Sequence, residues 1–318
     1  MILIMGQNID PHIQKTKDLL DKSGSEYYVF DHQNCYENHS LSYHINSNKF
    51  DFSFCIGEKI IDYNNIRSVW WRLKPPIIQP KETVEHLNYQ ALKNREWIHS
   101  LRPLYENIPA KWINNLDSHY KASYKIHQLD KAVKMGFSIP NTIVSNDTDK
   151  IKGFIEAHKP HSEVIYKPLT YYYELPDKVT MTTTVSSALV DRINMSVKVT
   201  PGIFQKKITK KYELRITVVG EEIFPVRIDT AGIPEAETDW RNDIYNVKYS
   251  ITDIPESFRN RLLKLHKSFG LIYGAYDFIV SQDNNLFFLE VNPAGQWLWM
   301  ENLIDLQITK ALVREMIN

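Results

Sequence analysis

The chain has 318 residues, 43% of them apolar, with 38 Lys and Arg set against 38 Asp and Glu. That length supports two or three packed units, and a formal charge of zero excludes nucleic-acid binding driven by bulk positive charge. Its two cysteines, Cys35 and Cys55, exclude a disulfide scaffold or a four-thiolate zinc site, and no apolar run of about 18 residues is present to span a membrane.

The opening MILIMG lacks a basic n-region, so no signal peptide is expected and the chain reads as a cytoplasmic protein with reduced thiols. Ile2–Met5 is a short strand. Asp10-Pro11 then gives an N-cap and a proline at the first helical position of a helix reaching about residue 22, stopped by Gly24. Tyr27–Phe30 is the next strand, and the β-α-β order predicts a parallel sheet with crossover helices. Phe50, Phe52, Phe54 and Ile56 alternate as a half-buried strand that Gly57-Glu58 turns towards Ile60-Ile61. A strand over 68–73 is blocked by Pro75-Pro76. A helix over about 82–105 and a strand at Lys111–Ile113 complete a first unit, 1–116.

The second unit, 117–204, opens with a helix from Asp117-Ser118 to Met135, closed by Gly136. Strand Thr142–Ser145, a helix over 147–157 and strand Val164–Lys167 follow. The Tyr- and Thr-rich segment 169–181, with Pro176, reads as an exposed loop and candidate lid. The third unit, 205–318, is more antiparallel. It has a hairpin turning at Gly220-Glu221, a helix burying Phe258, Leu262, Leu265 and Phe269, and a hairpin around Asp283-Asn284-Asn285. The class is α/β, passing to α+β in the C-terminal part.

The last hairpin holds the sharpest signal. A two-residue turn gives paired residue numbers an odd sum, which sets Asp277 and Glu290 on one face, directly or diagonally opposite. Asn292, two residues on, shares that face. Two carboxylates and an amide oxygen are costly to bury without a cation, and such hard donors suit Mg²⁺, which completes its shell with phosphate oxygens. The competing reading is an edge hairpin with solvated acids. Glu213 and Arg215 alternate with Leu214, Ile216 and Val218 on the core face. They are either a cross-strand ion pair or an acid for ribose hydroxyls and a guanidinium for phosphate oxygens. Lys167, ending its strand before Pro168, and Lys125, on the helix after Ser118, each read as solvated surface lysines when taken singly.

The order of these features resembles the layout of ATP-grasp ligases: helix lysine, strand-end lysine, the hinge Phe204-Gln205-Lys206-Lys207-Ile208, acid-x-Arg, then Asp and Glu-x-Asn. The stretches VWWRLKPP (69–76), YKIHQLDKAVKMGFSIPNT (124–142), VIYKPL (164–169), IFQKKI (203–208), YELRITVVGEEIFPVRID (212–229), DWR (239–241), YDFIV (276–280) and FFLEVNPAGQWLWME (287–301) resemble the graspetide branch, the microviridin- and plesiocin-type peptide-maturing ligases.

The resemblance implies a three-domain ATP-grasp fold with an N-terminal pre-grasp parallel sheet and ATP between the central and C-terminal domains. It implies that Asp277, Glu290 and Asn292 hold Mg²⁺, with Asn292 also near the nucleotide. Lys125 and Lys167 would contact the ATP phosphates, and Gln205, Lys206, Lys207 and Ile208 would form the adenine hinge through backbone groups. Glu213 would bind ribose, and Arg215 the γ-phosphate and forming acyl phosphate, with Lys167 and Arg72 completing the catalytic set. Arg72, leaving the first sheet at its C-terminal edge, is placed to bind a substrate carboxylate. Trp240 and Arg241 are either a packed tryptophan and a surface arginine or contacts to substrate. Trp297 and Trp299 read as core and wall.

The chain departs from the pattern at the hinge, where many ATP-grasp enzymes are acidic, and at Leu73-Lys74, where the branch often has a second arginine. The implied reaction joins Asp or Glu side-chain carboxylates of a ribosomal precursor peptide, with leader and core, to Ser or Thr hydroxyls or Lys amines. No nucleic acid or membrane takes part, and a homodimer is compatible with the resemblance. The alternatives are a carboxylate–amine ligase acting on an amino acid, small molecule or protein terminus, and a nucleotide-binding module without catalysis.

Overall fold

The first third runs β1 (Ile2–Met5), α1 (Pro11–Ser23), β2 (Tyr27–Phe30), β3 (His39–Asn46), β4 (Lys49–Ile56), β5 (Lys59–Ile60), β6 (Ser68–Trp71), α2 (Val84–Asn107) and β7 (Lys111–Ile113). The computed structural model describes residues 1–31, 39–72, 84–159, 162–170, 173–175, 178–179, 182–192, 194–233, 236, 240 and 246–318. Cys35, Pro75-Pro76, Pro176, Asp239 and Arg241 lie outside the described residues.

Strands β2-β1-β6-β7 form the expected parallel sheet. Helix α1 starts where the Asp10 side chain accepts from the His12 N–H, and it ends at Gly24 with φ +67°. The alternating phenylalanines sit on β4, which belongs to a separate antiparallel sheet β3-β4-β5. Strand β3 was not expected, because HSLSYHIN has only three apolar side chains, of which Leu41 and Tyr43 pack inward.

The middle elements are α3 (Leu116–Ser123), α4 (Lys125–Lys134), β8 (Thr142–Ser145), α5 (Thr148–His158), β9 (Val164–Lys167), β10 (Tyr173–Leu175), β11 (Lys178–Val179), β12 (Thr183–Val185), α6 (Ser187–Arg192), α7 (Asn194–Val199) and β13 (Gly202–Lys206). The single helix expected over 117–135 is two. Tyr124 is extended (φ −83°, ψ 107°), and this break makes Lys125 the first residue of α4. The expected loop 169–181 contains the antiparallel pair β10–β11. Strand β13 lies inside the antiparallel sheet β12-β9-β13-β8, so the expected boundary at 204/205 falls within a strand.

The last elements are β14 (Lys210–Val219), β15 (Glu222–Asp229), β16 (Lys248–Ile251), α8 (Glu256–Phe269), β17 (Tyr273–Ser281), β18 (Leu286–Asn292), α9 (Leu298–Ile304) and α10 (Ile308–Ile317). The strands form an antiparallel sheet in the order β16-β15-β14-β17-β18. On one face Leu214, Ile216, Val218, Tyr276, Phe278 and Phe288 pack with Leu262, Leu265 and Phe269 of α8. On the other, Val226, Ile228, Ala275 and Trp297 share a core with Ile2, Ile4 and Trp70 of the N-terminal sheet. Burial of apolar area from both ends of the chain in one core fixes the parallel sheet against the last sheet. No helix among the described residues is long and apolar enough to cross a membrane.

Candidate active site

Register on the last sheet decides which side chains meet. Near its turn the β17–β18 hairpin pairs Val280 with Leu286 and Phe278 with Phe288, which is the parity opposite to that of a two-residue turn. A bulge at Leu289 then shifts the register by one, so that Asp277 pairs directly with Glu290 and Ala275 with Asn292. The expected pairing is present, reached by a different route. Without the extra residue, Phe288 and Val291 could not both face the α8 core while Glu290 and Asn292 face the opposite side.

Arg215 pairs with Asp277 across β14 and β17. Its Nη1 donates to Asp277 Oδ1 at 2.9 Å and to Oδ2 at 2.8 Å, and its Nη2 lies 3.4 Å from the Gln296 carbonyl. Burial opposes the charge on this guanidinium, yet facing Asp277, Tyr273 and Glu290 it holds its proton more tightly than usual. Lys125 links the end of β9 to β18: its Nζ donates to the Pro168 carbonyl at 3.0 Å and lies 3.8 Å from Glu290 Oε2.

On the middle sheet, Lys167 Nζ donates to Gln205 Oε1 at 3.0 Å, and Gln205 Nε2 donates to Thr142 Oγ1 at 2.9 Å. Gln205 is thus a buried side-chain partner of the strand-end lysine. The Lys206 N–H donates to the Asn141 carbonyl and the Lys207 N–H to the Glu163 carbonyl, both at 2.8 Å. Lys207 Nζ pairs with Glu163 at 2.8 Å. These two N–H groups of the expected hinge 205–208 are therefore engaged within the sheet, leaving Ile208 as the hinge residue that follows them. Glu213 is buried and accepts from Lys210 Nζ at 2.5 Å, and that lysine also donates to the Ala236 carbonyl.

Two expected residues take other partners. Arg72, expected to bind a substrate carboxylate and assist catalysis, is 3% exposed, and its Nε donates to Asp10 Oδ2 at 2.7 Å. Its guanidinium lies over the rings of Trp70 and Trp297 at 5.4 and 5.2 Å. A guanidinium this buried requires a carboxylate, and Asp10 supplies it. Burial alone would raise the Asp10 pKa, but hydrogen bonds from His12 and the charge of Arg72 hold it well below the usual carboxylate range. Trp240, open between packing and substrate contact, is buried against Trp299, with ring centroids 5.0 Å apart, and against Tyr249.

Three residues that sequence patterns did not single out hold β17, β18 and the turn that follows. The Gln128 side chain bonds both backbone groups of Val291. Asn114 donates to the carbonyls of Tyr273 and Pro293 and accepts from the N–H groups of Ile272 and Tyr273, at 2.7 to 2.9 Å. His12 reaches the backbone at 297–298. Gly295 is required where it stands, since a Cβ there would come within 2.7 Å of Ala275 Cβ and of Arg215 Nη2.

The donor set is oxygen only. Among the described residues no group of three or more His, Cys, Asp and Glu gathers, so the candidate ligands are Asp277, Glu290 and the Asn292 amide. Asn292 Oδ1 already accepts from the Ala294 N–H at 2.9 Å, which orients it and leaves a second lone pair. Arg215 Nε and Thr217 Oγ1 are buried on this face with no partner among the described residues, which suits an incoming oxygen acceptor. Two carboxylates, an amide oxygen and adjacent cations fit Mg²⁺ with a polyphosphate.

The family model described as a RimK-like ATP-grasp domain matches residues 122–316. Among solved structures, an RiPP-associated ATP-grasp ligase of Chryseobacterium gregarium, in complex with ADP and a leader and core peptide, is 30% identical with a TM-score of 0.84, over 99% of this chain and 96% of that one. The macrocyclase MdnC of Microcystis aeruginosa MRC, bound with precursor peptide MdnA, is 25% identical with a TM-score of 0.84 over 100% of both chains. The ATP-grasp ligase PsnB, complexed with a phosphomimetic variant of its minimal precursor, Mg and ADP, shares the fold at 19% identity and a TM-score of 0.72, over 99% of this chain and 97% of that one. A search of curated proteins gives no significant match.

Proposed function

The chain belongs to the RimK-like ATP-grasp family and is an ADP-forming ligase, and from that footing we propose that it matures a ribosomally made precursor peptide. In this reading Asp or Glu side-chain carboxylates of the peptide are activated with ATP and Mg²⁺ and joined to Ser or Thr hydroxyls or Lys amines, closing ester or amide rings. The observation that supports it most is the contact of Arg215 Nη1 with both Asp277 carboxylate oxygens, with Glu290 directly opposite and Lys125 alongside. Two relatives at 25% identity or more, one with a leader and core peptide and one with a precursor peptide, point to the substrate class.

A carboxylate resists attack by an alcohol or amine because of its charge and resonance. Transfer of the terminal phosphoryl of ATP to a carboxylate oxygen removes both obstacles, giving an acyl phosphate and ADP. The hydroxyl or amine then attacks the carbonyl carbon, phosphate leaves, and the attacking group gives up its proton. Asp277, Glu290 and Asn292 would hold Mg²⁺, which when bound neutralises phosphate charge. Arg215 would stabilise charge on the transferring phosphoryl, and Lys125 and Lys167 would position the phosphates. Lys210 holds the Glu213 carboxylate in position, where it would take ribose hydroxyls. Residues 205–208 would line the base.

Mass spectrometry of a candidate precursor after incubation with enzyme, ATP and Mg²⁺ tests the proposal, with loss of one water mass per ring expected. Release of ADP stimulated by free amino acids, with no change in the peptide, would instead favour a ligase acting on an amino acid, small molecule or protein terminus.

A further inference from the structure

The turn that follows the metal strand is held from the far end of the chain. His12, buried on α1, places its two ring nitrogens on opposite sides of this link. Nδ1 lies 2.9 Å from Asp10 Oδ1, while Nε2 lies 3.2 Å from the Trp297 nitrogen and 3.3 Å from the Leu298 nitrogen. Two backbone donors converge on Nε2, so Nε2 is the acceptor and Nδ1 bears the proton it gives to Asp10. The ring also stands edge-on to the Trp297 indole at 4.5 Å. Asp10 is held in turn by Arg72.

The turn over 293–298 has little slack. Asn114 donates to the Pro293 carbonyl, the Tyr273 hydroxyl to the Gly295 carbonyl at 2.8 Å, and Arg215 to the Gln296 carbonyl. Burial holds the Tyr273 hydroxyl protonated, so it remains a donor. The turn begins at Asn292, ends on His12, and supports Arg215 in between. The position of 297–298 is therefore linked through the turn to those of Asn292 and Arg215.

We propose that His12 is a positioning residue for the metal end of the nucleotide site, its Nε2 fixing 297–298 so that Asn292 and Arg215 are correctly placed for a metal-bound diphosphate or triphosphate. The inference rests on the function proposed above. His12 touches neither ligand nor reacting atoms; it acts through the turn. An apolar ring at this position leaves the buried Trp297 N–H and the half-buried Leu298 N–H without an acceptor, and the turn must move to satisfy them.

The test is calorimetric titration of the full chain with ADP, with and without Mg²⁺. The wild type is expected to bind ADP about tenfold more tightly with Mg²⁺, a coupling of ordinary size. His12→Phe is expected to reduce that ratio to about twofold or less while metal-free ADP affinity stays within about twofold. His12→Gln, whose carbonyl can accept from the same N–H groups, is expected to restore the ratio. If His12→Phe does not fold, His12→Asn, which keeps a donor towards Asp10 but falls short of Trp297, should show the same loss. Retention of the wild-type ratio in the apolar or shortened variant overturns the proposal. So does an equal loss of metal-free and metal-bound affinity, or failure of His12→Gln to restore the ratio. Absence of any metal effect in the wild type overturns the site assignment itself, and the inference with it.

Discussion

Gln128 completes the backbone hydrogen bonding of Val291: its Oε1 accepts from the Val291 N–H at 2.9 Å and its Nε2 donates to the Val291 carbonyl at 2.8 Å. Strand β18 is at the sheet edge, so these groups face no further strand, and a side-chain amide from α4 takes that place. Val291 stands between Glu290 and Asn292, so the helix that begins with Lys125 also fixes the strand presenting both. Gln128→Leu is expected to cost about 2–4 kcal/mol, because a buried donor and a buried acceptor both lose their partner. Urea unfolding followed by tryptophan fluorescence measures it, and an unchanged midpoint would show that water replaces the amide.

Arg215 should matter more to rate than to affinity. Its contact is expected to strengthen as charge moves on the transferring phosphoryl, so Arg215→Ala should lower kcat about 100-fold or more with a much smaller change in nucleotide binding. Arg215→Lys keeps the charge opposite Asp277 but loses the second nitrogen, which reaches the Gln296 carbonyl, and should fall between. Steady-state ADP release with calorimetric binding separates the two effects; equal losses in both would make Arg215 a ground-state anchor.

Glu290→Gln keeps the shape of the side chain and removes its charge. ATP turnover with peptide is expected to vanish while unfolding stays cooperative, with a stability change within about 1 kcal/mol. Turnover at the wild-type rate would remove Glu290 from the metal set.

His266 gives a dependence on pH that belongs to the fold rather than the chemistry. It lies in the α8 core with Nδ1 2.9 Å from the Tyr276 hydroxyl, and burial lowers its pKa from 6.5 to about 4. The unfolded chain takes the proton first, so the contribution is complete above pH 6.5 and is lost as pH falls towards 4, reaching about 3 kcal/mol. Urea midpoints across that range should fall in the wild type and fall less in His266→Gln.

Period-two alternation made much of this site legible. Leu214, Ile216 and Val218 on the core face set Glu213 and Arg215 on the other, and the structure keeps that division. The caps of α1 and the αL glycines at 24 and 270 were equally local signals. The bulge at Leu289 was not legible, because an extra residue in FFLEVNP looks like any other until its partner strand is known. Nor were Gln128, His12 and Asn114, whose backbone partners lie 163, 285 and up to 179 residues away along the chain. The partner of Arg72 was hidden for a related reason: its place at a strand end was readable, but its buried carboxylate, Asp10, served equally well as a helix cap.

The bulge also insulates the acids from their own hairpin turn. Phe278 and Phe288 lock the register in the core on the turn side of Leu289, so the spacing of Asp277 and Glu290 is set by that core and not by 281–285. Residues added at the tip, beside Asn284, would swing in solvent without sliding one carboxylate past the other. That tip is where a graft such as a fluorescent reporter peptide should be tolerated, whereas deleting Leu289 alone would rotate both Glu290 and Asn292 onto the wrong side of the sheet.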